Sequence, residues 1–167
     1  MLVVTGLGLL FLASGYAMPR DHQVRVSMRI PAPRSLVWVL VSDTQDMPAW
    51  FKEAASVHRV PQEGDHEVWK VDDAAGNSLT YVTVRREAPS LYIRAVRDPS
   101  GTFGGTWSIN LEAMGNETQV SIEEKGWIAA APFRPVQRFI LGYDTTMKRY
   151  LAALSAAASA RNNLHGS

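Results

Sequence analysis

The chain has no cysteine, which excludes disulfides, thiolate metal sites and a cysteine nucleophile, while leaving oxidising and reducing compartments equally open. Charge of one sign is also missing: 17 Lys and Arg face 16 Asp and Glu, a formal net charge of +1. That balance leaves no basic excess to attract a polyanion at long range, so nucleic acid is not expected as a partner. Phosphate loop, nucleophile elbow, dinucleotide fingerprint and paired-histidine zinc helix are all absent as motifs. The four histidines lack metal-ligand spacing, and His22, His66 and His165 read as loop or terminal residues, so no metal and no other cofactor is expected. Internal repeats and low-complexity stretches are lacking too.

What is present suffices for one ordinary domain: 167 residues, 46% hydrophobic and 20% charged, read as a monomer. One compositional boundary stands near Pro19 to Gln23. Before it, Leu2 to Met18 carries no charge, and Leu7, Leu9, Leu10, Phe11 and Leu12 belong to an apolar run that reads as a membrane anchor or a signal segment. Its 17 residues sit at the lower edge of a span. Gly15 and Ala17 suit cleavage after Ala17, but no Lys or Arg precedes the run. The expected location is a membrane, through a single N-terminal anchor made by residues 2–18, the alternative being export after cleavage near Ala17. The expected division is anchor or signal at 1–18, linker at 19–22, domain at 23–160 and a disordered tail at 161–167.

In the domain, Val24, Val26, Met28 and Ile30 alternate with polar residues, the period-2 signature of a half-buried strand. Pro31 and Pro33 end it. Ser35 to Val41 then reads as a short buried helix, and Asp46, Met47 and Pro48 open a second short helical turn that carries Trp50 and Phe51. Six further strands are read at Ala55 to Val60, Glu67 to Asp72, Leu79 to Glu87, Leu91 to Arg97, Thr106 to Ala113 and Thr118 to Trp127. Turn chemistry separates them, as at Asp98 to Gly101 and Gly115-Asn116, which implies antiparallel neighbours. From Pro132 the period changes: Phe133, Val136, Phe139, Ile140, Tyr143, Met147, Tyr150, Leu151 and Leu154 recur at helical spacing, predicting one long amphipathic helix to Ala160. It must cover the apolar face of the sheet, giving an α+β layer.

That order resembles the SRPBCC superfamily of START lipid-transfer domains, birch-pollen-type allergens and polyketide cyclase/dehydrase-like bacterial proteins. Val24 to Ile30 followed by Pro31-Ala32-Pro33, Val37 to Asp43 and Met47 to Trp50 look like the family's opening; Gly105 to Leu111, Thr118 to Ile122 and the helix with Leu151 and Leu154 look like its end. The resemblance covers about Gln23 to Ala160. It implies a helix-grip fold, with a curved antiparallel sheet of about seven strands wrapped on the long C-terminal helix and two short helices after the first strand. It also implies a cavity that holds a ligand.

Trp50, Phe51, Trp69, Tyr81, Trp107, Phe139, Tyr143 and Met147 are the candidate cavity residues; core packing is the plain alternative for each. Glu124 shares the face of Val120 and Ile122, where burial raises a carboxyl pKa unless a cation or donor meets it. It reads either as a polar contact at the cavity mouth or as an ion pair with a neighbouring arginine. His58 and Asp46 are a possible acid-base pair, with a surface histidine and a helix cap as the bland readings. Arg85, Arg86, Arg94 and Arg97 read as solvated strand faces. Asn116 to Thr118 matches a glycosylation sequon, but a hairpin turn explains the asparagine equally. The expected function is membrane-associated binding of a hydrophobic small molecule or lipid; a cyclase- or dehydratase-like enzyme on an apolar substrate and a membrane-tethered interaction domain are the alternatives. No catalytic residue is assigned.

Overall fold

The structure, a computed structural model, describes residues 2–98 and 100–165. Alternating apolar positions build seven strands: β1 (Asp21–Ile30), β2 (Ser56–Glu63), β3 (His66–Asp72), β4 (Ser78–Glu87), β5 (Leu91–Arg97), β6 (Phe103–Met114) and β7 (Glu117–Ile128). All neighbours are antiparallel, in the order β1-β7-β6-β5-β4-β3-β2. β1 therefore joins the far end of the meander, pairing Val26 with Ile122 and Met28 with Val120. Pro61 falls in the edge strand β2, beside an irregularity between Val60 and Glu63, where a missing N–H breaks no inner ladder.

Four α-helices complete the chain: α1 (Leu2–Ala13), α2 (Arg34–Ser42), α3 (Phe133–Val136) and α4 (Thr145–His165). Short 3-10 turns occupy Ser14–Ala17 and Met47–Ala49. On α4, Met147, Tyr150, Leu151, Leu154 and Ala158 form a helical stripe no more than 1% exposed. The stripe packs on Ile109, Leu111, Val120 and Ile122 of the sheet and on Val37 and Leu40 of α2. Each large side chain buried there contributes roughly 1.5–3 kcal/mol. Thr118 Oγ1 donates to the Ala32 carbonyl at 2.8 Å, holding the proline break after β1 against β7.

The C-terminal helix is not continuous. After α3 the chain widens into a π-turn at Gln137–Leu141, and Gly142 reverses it with φ +77°. The Gly142 N–H closes on the Gln137 carbonyl at 2.8 Å, and Gln137 Nε2 donates to the Gly142 carbonyl at 3.2 Å. Periodic apolar residues ran through this point, but the glycine conformation is one an L side chain adopts only under strain, so the helix stops and restarts.

Both ends also differ from expectation. β1 begins at Asp21, inside the expected linker. α4 runs to His165 because Arg161 reaches the Asp46 carboxylate and Asn162 Nδ2 donates to the Pro31 carbonyl at 3.4 Å. Gly166 and Ser167, the end of the expected tail, lie outside the described residues. The N-terminal run is helical for 12 residues, about 18 Å at 1.5 Å per residue, against a hydrocarbon core of about 30 Å. Among the described residues no helix is long and apolar enough to cross a membrane. Instead the run folds back: Gly15 is buried, and a Cβ built there would lie 1.8 Å from the Ala131 carbonyl oxygen. Arg134 clamps the approach, donating to the carbonyls of Met18 (3.0 Å), Gly15 (3.3 Å), Ile128 (3.0 Å) and Ala129 (3.0 Å).

Candidate functional site

Register decides which side chains share the concave face. Arg94 of β5 pairs with Trp107 of β6, Trp107 with Glu124 of β7, and Glu124 with Val24 of β1, so all four project to one side. His22 stands two residues before Val24 on that same side. Polar groups thus form a row across the apolar face, between the stripe of α4 and the end of the sheet.

Arg94 is the least expected member. Read from sequence as a solvated strand residue, it is 3% exposed. The β5 alternation has the opposite phase: Tyr92 and Arg94 are buried, whereas Leu91 and Ile93 are only half-buried. The Arg94 guanidinium carbon lies 4.7 Å from the ring centre of Tyr81, 4.9 Å from Trp107 and 5.1 Å from Tyr150. Nη1 reaches the Met47 sulfur at 3.9 Å, and Nε is buried with no hydrogen-bond partner. No carboxylate pairs with Arg94 among the described residues, so three aromatic faces are its main compensation. Burial pushes the Tyr150 hydroxyl up to about 12 and raises that of Tyr81, with the nearby Arg94 charge opposing both. The two phenols therefore remain neutral donors and acceptors at neutral pH.

This guanidinium opens on a cleft of 870 Å³ between the sheet, the chain after the Met47–Ala49 turn and the start of α4. Phe51, Tyr81, Trp107 and Arg149 share its lining. Arg149 is held by Glu53 at 3.2 Å and so is already paired.

A second cavity, of 430 Å³, lies at the other end of the row under α3 and the π-turn, lined by His22, Glu124, Trp127, Phe133, Leu141 and Tyr143. Glu124 accepts from Trp107 Nε1 at 2.8 Å and faces His22 Nε2 at 3.1 Å. Its partners are therefore a tryptophan and a histidine, not the arginine weighed from sequence. Facing a carboxylate, Nε2 is the nitrogen that carries the proton, which leaves Nδ1 buried without a partner. The ring of His22 stacks on Tyr143 with centres 4.1 Å apart. His22 is thus a strand residue on the concave face, contrary to the loop position expected, because β1 starts two residues earlier than its alternation signalled.

The expected candidates divide among several places. Tyr81, Trp107 and Phe51 line the large cleft, and Glu124 and Tyr143 the second cavity. Trp50 packs edge-on against Tyr150 with ring centres 5.1 Å apart and lines a separate groove outside it. Met147 is wholly buried in the core, and Trp69 is buried under Arg59, 5.8 Å away. Phe139 points outward, 66% exposed, and touches only the ring of Phe11, at 6.4 Å, among aromatics. His58 and Asp46 are not brought together: His58 lies 3.8 Å from Asp72, and Asp46 is taken by Arg161 instead of capping its turn. His66 is exposed at the start of β3, and the side chain of His165 lies outside the described residues. Among the described residues no group of three or more histidine and carboxylate side chains could hold a metal. Sequence reasoning missed Arg94 and His22. The signal available for Arg94 was its cross-strand alignment with Trp107.

An antiparallel sheet of seven strands gripping a long C-terminal helix, with a polar row and cavities between them, is the helix-grip class of ligand-binding domain. The profile of the family described as polyketide cyclase / dehydrase and lipid transport matches residues 21–161, and the chain belongs to that family, within the SRPBCC superfamily. Over 78 residues it is 33% identical to a Streptomyces halstedii protein named as a polyketide cyclase, covering 44% of this chain and 72% of that protein. Its fold is similar to the Zhui aromatase/cyclase of Streptomyces sp. R1128, with TM-score 0.69 and 15% identity over 84% of this chain and 95% of that one. Norcoclaurine synthase of Thalictrum flavum is similar as well, with TM-score 0.65 and 9% identity over 82% and 86% of the two chains. At such identities the structural likeness speaks for the fold.

Proposed function

We propose that the protein binds a largely apolar small molecule carrying one acidic or enolic oxygen, and does so at a membrane to which its N-terminal segment holds it. The observation that carries this reading is Arg94: a buried guanidinium with no carboxylate partner, ringed by aromatic faces and opening on the 870 Å³ cleft. Tyr81, Trp107 and Phe51 offer apolar surface, from which the main affinity derives. The guanidinium offers a charge-assisted bond to an anionic oxygen, and that fixes orientation. The membrane part rests on the charge-free run from Leu2 to Met18. Retention of that run is favoured over cleavage near Ala17 by the buried Gly15, whose carbonyl Arg134 engages.

The test is calorimetric titration of the full chain with a polycyclic aromatic carboxylic acid and with its methyl ester. The acid binds at least tenfold tighter than the ester, and Arg94→Met removes the difference while leaving ester binding in place. Equal affinity for acid and ester in the parent protein refutes the role of Arg94. Native mass spectrometry with lipid extraction of protein from its own host then names the ligand class.

A second reading is an enzyme of the cyclase or dehydratase kind acting on an apolar substrate. The His22–Glu124 pair beside the second cavity supports it, since a carboxylate-oriented imidazole is a proton-transfer group, as do the cyclase names of the relatives. Under this reading Glu124→Gln abolishes turnover of a bound polyketide-like substrate and preserves its binding; under the first it changes neither.

A further inference from the structure

Exposed apolar side chains are not scattered evenly over this protein. Of the thirteen large ones left exposed among the described residues, eight lie in α1 with its 3-10 turn or between Phe133 and Leu141. Leu10 is 70% exposed, Tyr16 76%, Phe133 62%, Phe139 66% and Ile140 67%. The two stretches touch through Phe11 and Phe139, whose ring centres are 6.4 Å apart, and the Arg134 clamp fixes one against the other. They therefore form one surface drawn from distant parts of the sequence. Phe133 and Leu141 also line the second cavity, so this surface borders it.

Within the two stretches themselves the charges have one sign. Residues 2–20 and 126–143 contain Arg20, Arg134 and Arg138 and not one Asp or Glu. Arg134 is engaged by backbone carbonyls. Arg20 lies over the Trp127 ring at 4.5 Å and Arg138 over Phe139 at 5.6 Å; both are exposed, and neither has a carboxylate partner among the described residues. A broad apolar patch rimmed by unneutralised arginines matches the interface of an anionic bilayer, where apolar side chains enter the acyl boundary and guanidinium groups meet phosphate. We propose that α1 and the Phe133–Leu141 stretch together seat the protein on an anionic bilayer, with the second cavity bordering the lipid. This rests on the reading of a membrane-held protein and adds to it a second contact, the π-turn segment, and a fixed orientation.

The experiment is co-sedimentation of the full chain with phosphatidylcholine vesicles, with and without phosphatidylglycerol, alongside binding of the anionic probe anilinonaphthalene sulfonate without vesicles. The parent protein prefers the phosphatidylglycerol vesicles. The double variant Phe139→Ser with Ile140→Ser loses about tenfold or more in partition, and Arg20→Gln with Arg138→Gln loses the preference for anionic lipid while some partition persists. Unchanged partition of the serine variant overturns the proposal, because α1 alone then suffices. So does vesicle-independent self-association in analytical ultracentrifugation that the serine variant abolishes, which assigns the surface to a second copy of the chain. Loss of probe binding with vesicle binding intact leaves the docking standing and removes the ligand reading instead.

Discussion

The C-terminal region holds two stretches that look alike in sequence and have opposite fates. On α4, Leu151 and Leu154 are at most 1% exposed, packed between the sheet and α2. About three turns earlier in the chain, Phe139 and Ile140 are about two-thirds exposed, on a segment whose helix has widened and broken. Apolar spacing alone does not distinguish them. The difference is where the concave face ends: beyond Gly142 the helix runs along Ile109, Val120 and Ile122, whereas before it the chain must arch over the polar row of Glu124 and His22. One stretch stabilises the fold, and the other covers a cavity and leaves its outer side exposed.

The sharpest way to break this comparison is truncation on each side of Gly142. Leu154→Ala is expected to cost about 2–5 kcal/mol in urea denaturation, the usual range for a buried leucine that leaves a cavity, whereas Phe139→Ala stays within about 0.5 kcal/mol. Similar losses at both positions would mean that the outer stretch is packed in solution.

Alkaline titration addresses the buried half alone. Tyr150 is pushed up to about 12, chiefly by burial, from its ordinary value of 10.0. The folded state thus keeps its proton where the unfolded chain loses it. The associated stability is fully present below pH 10 and disappears as pH rises toward 12, amounting to roughly 3 kcal/mol. Tyr150→Phe removes its part of the alkaline fall, which Tyr81 shares, and thermal unfolding followed between pH 9 and 12 measures the difference.

A smaller effect sharpens the boundary itself. Gly142 has φ +77°, and a Cβ there would lie 3.0 Å from Thr145 Oγ1, so Gly142→Ala is expected to destabilise by about 1–3 kcal/mol. Loss of hydrogen-exchange protection confined to Phe133–Thr145, with α4 unchanged, would show the two stretches opening separately.

Much of the fold is legible in the sequence alone. The strand run Leu91 to Arg97 was read with its observed bounds, and the others were read within three residues at either end, because period-2 alternation and turn residues act locally. Legibility failed where the deciding partner is far along the chain. Arg94 looked solvated because strand phase is set by neighbouring strands, here by Trp107, and not by the arginine itself. His22 looked like a terminus because its partners, Glu124 and Tyr143, are more than a hundred residues away. Asp46 looked like a cap, yet Arg161 claims it from the far end of α4.

By itself, then, the sequence determined the element order, the layer architecture, the charge-free N-terminal run and the lack of cysteine, all properties of composition and local period. Only the tertiary structure decided which charges are buried, where the last helix breaks and which apolar residues remain outside. Those outcomes depend on cross-strand register and on the limited extent of the concave face, and neither quantity is encoded in any single stretch of the chain.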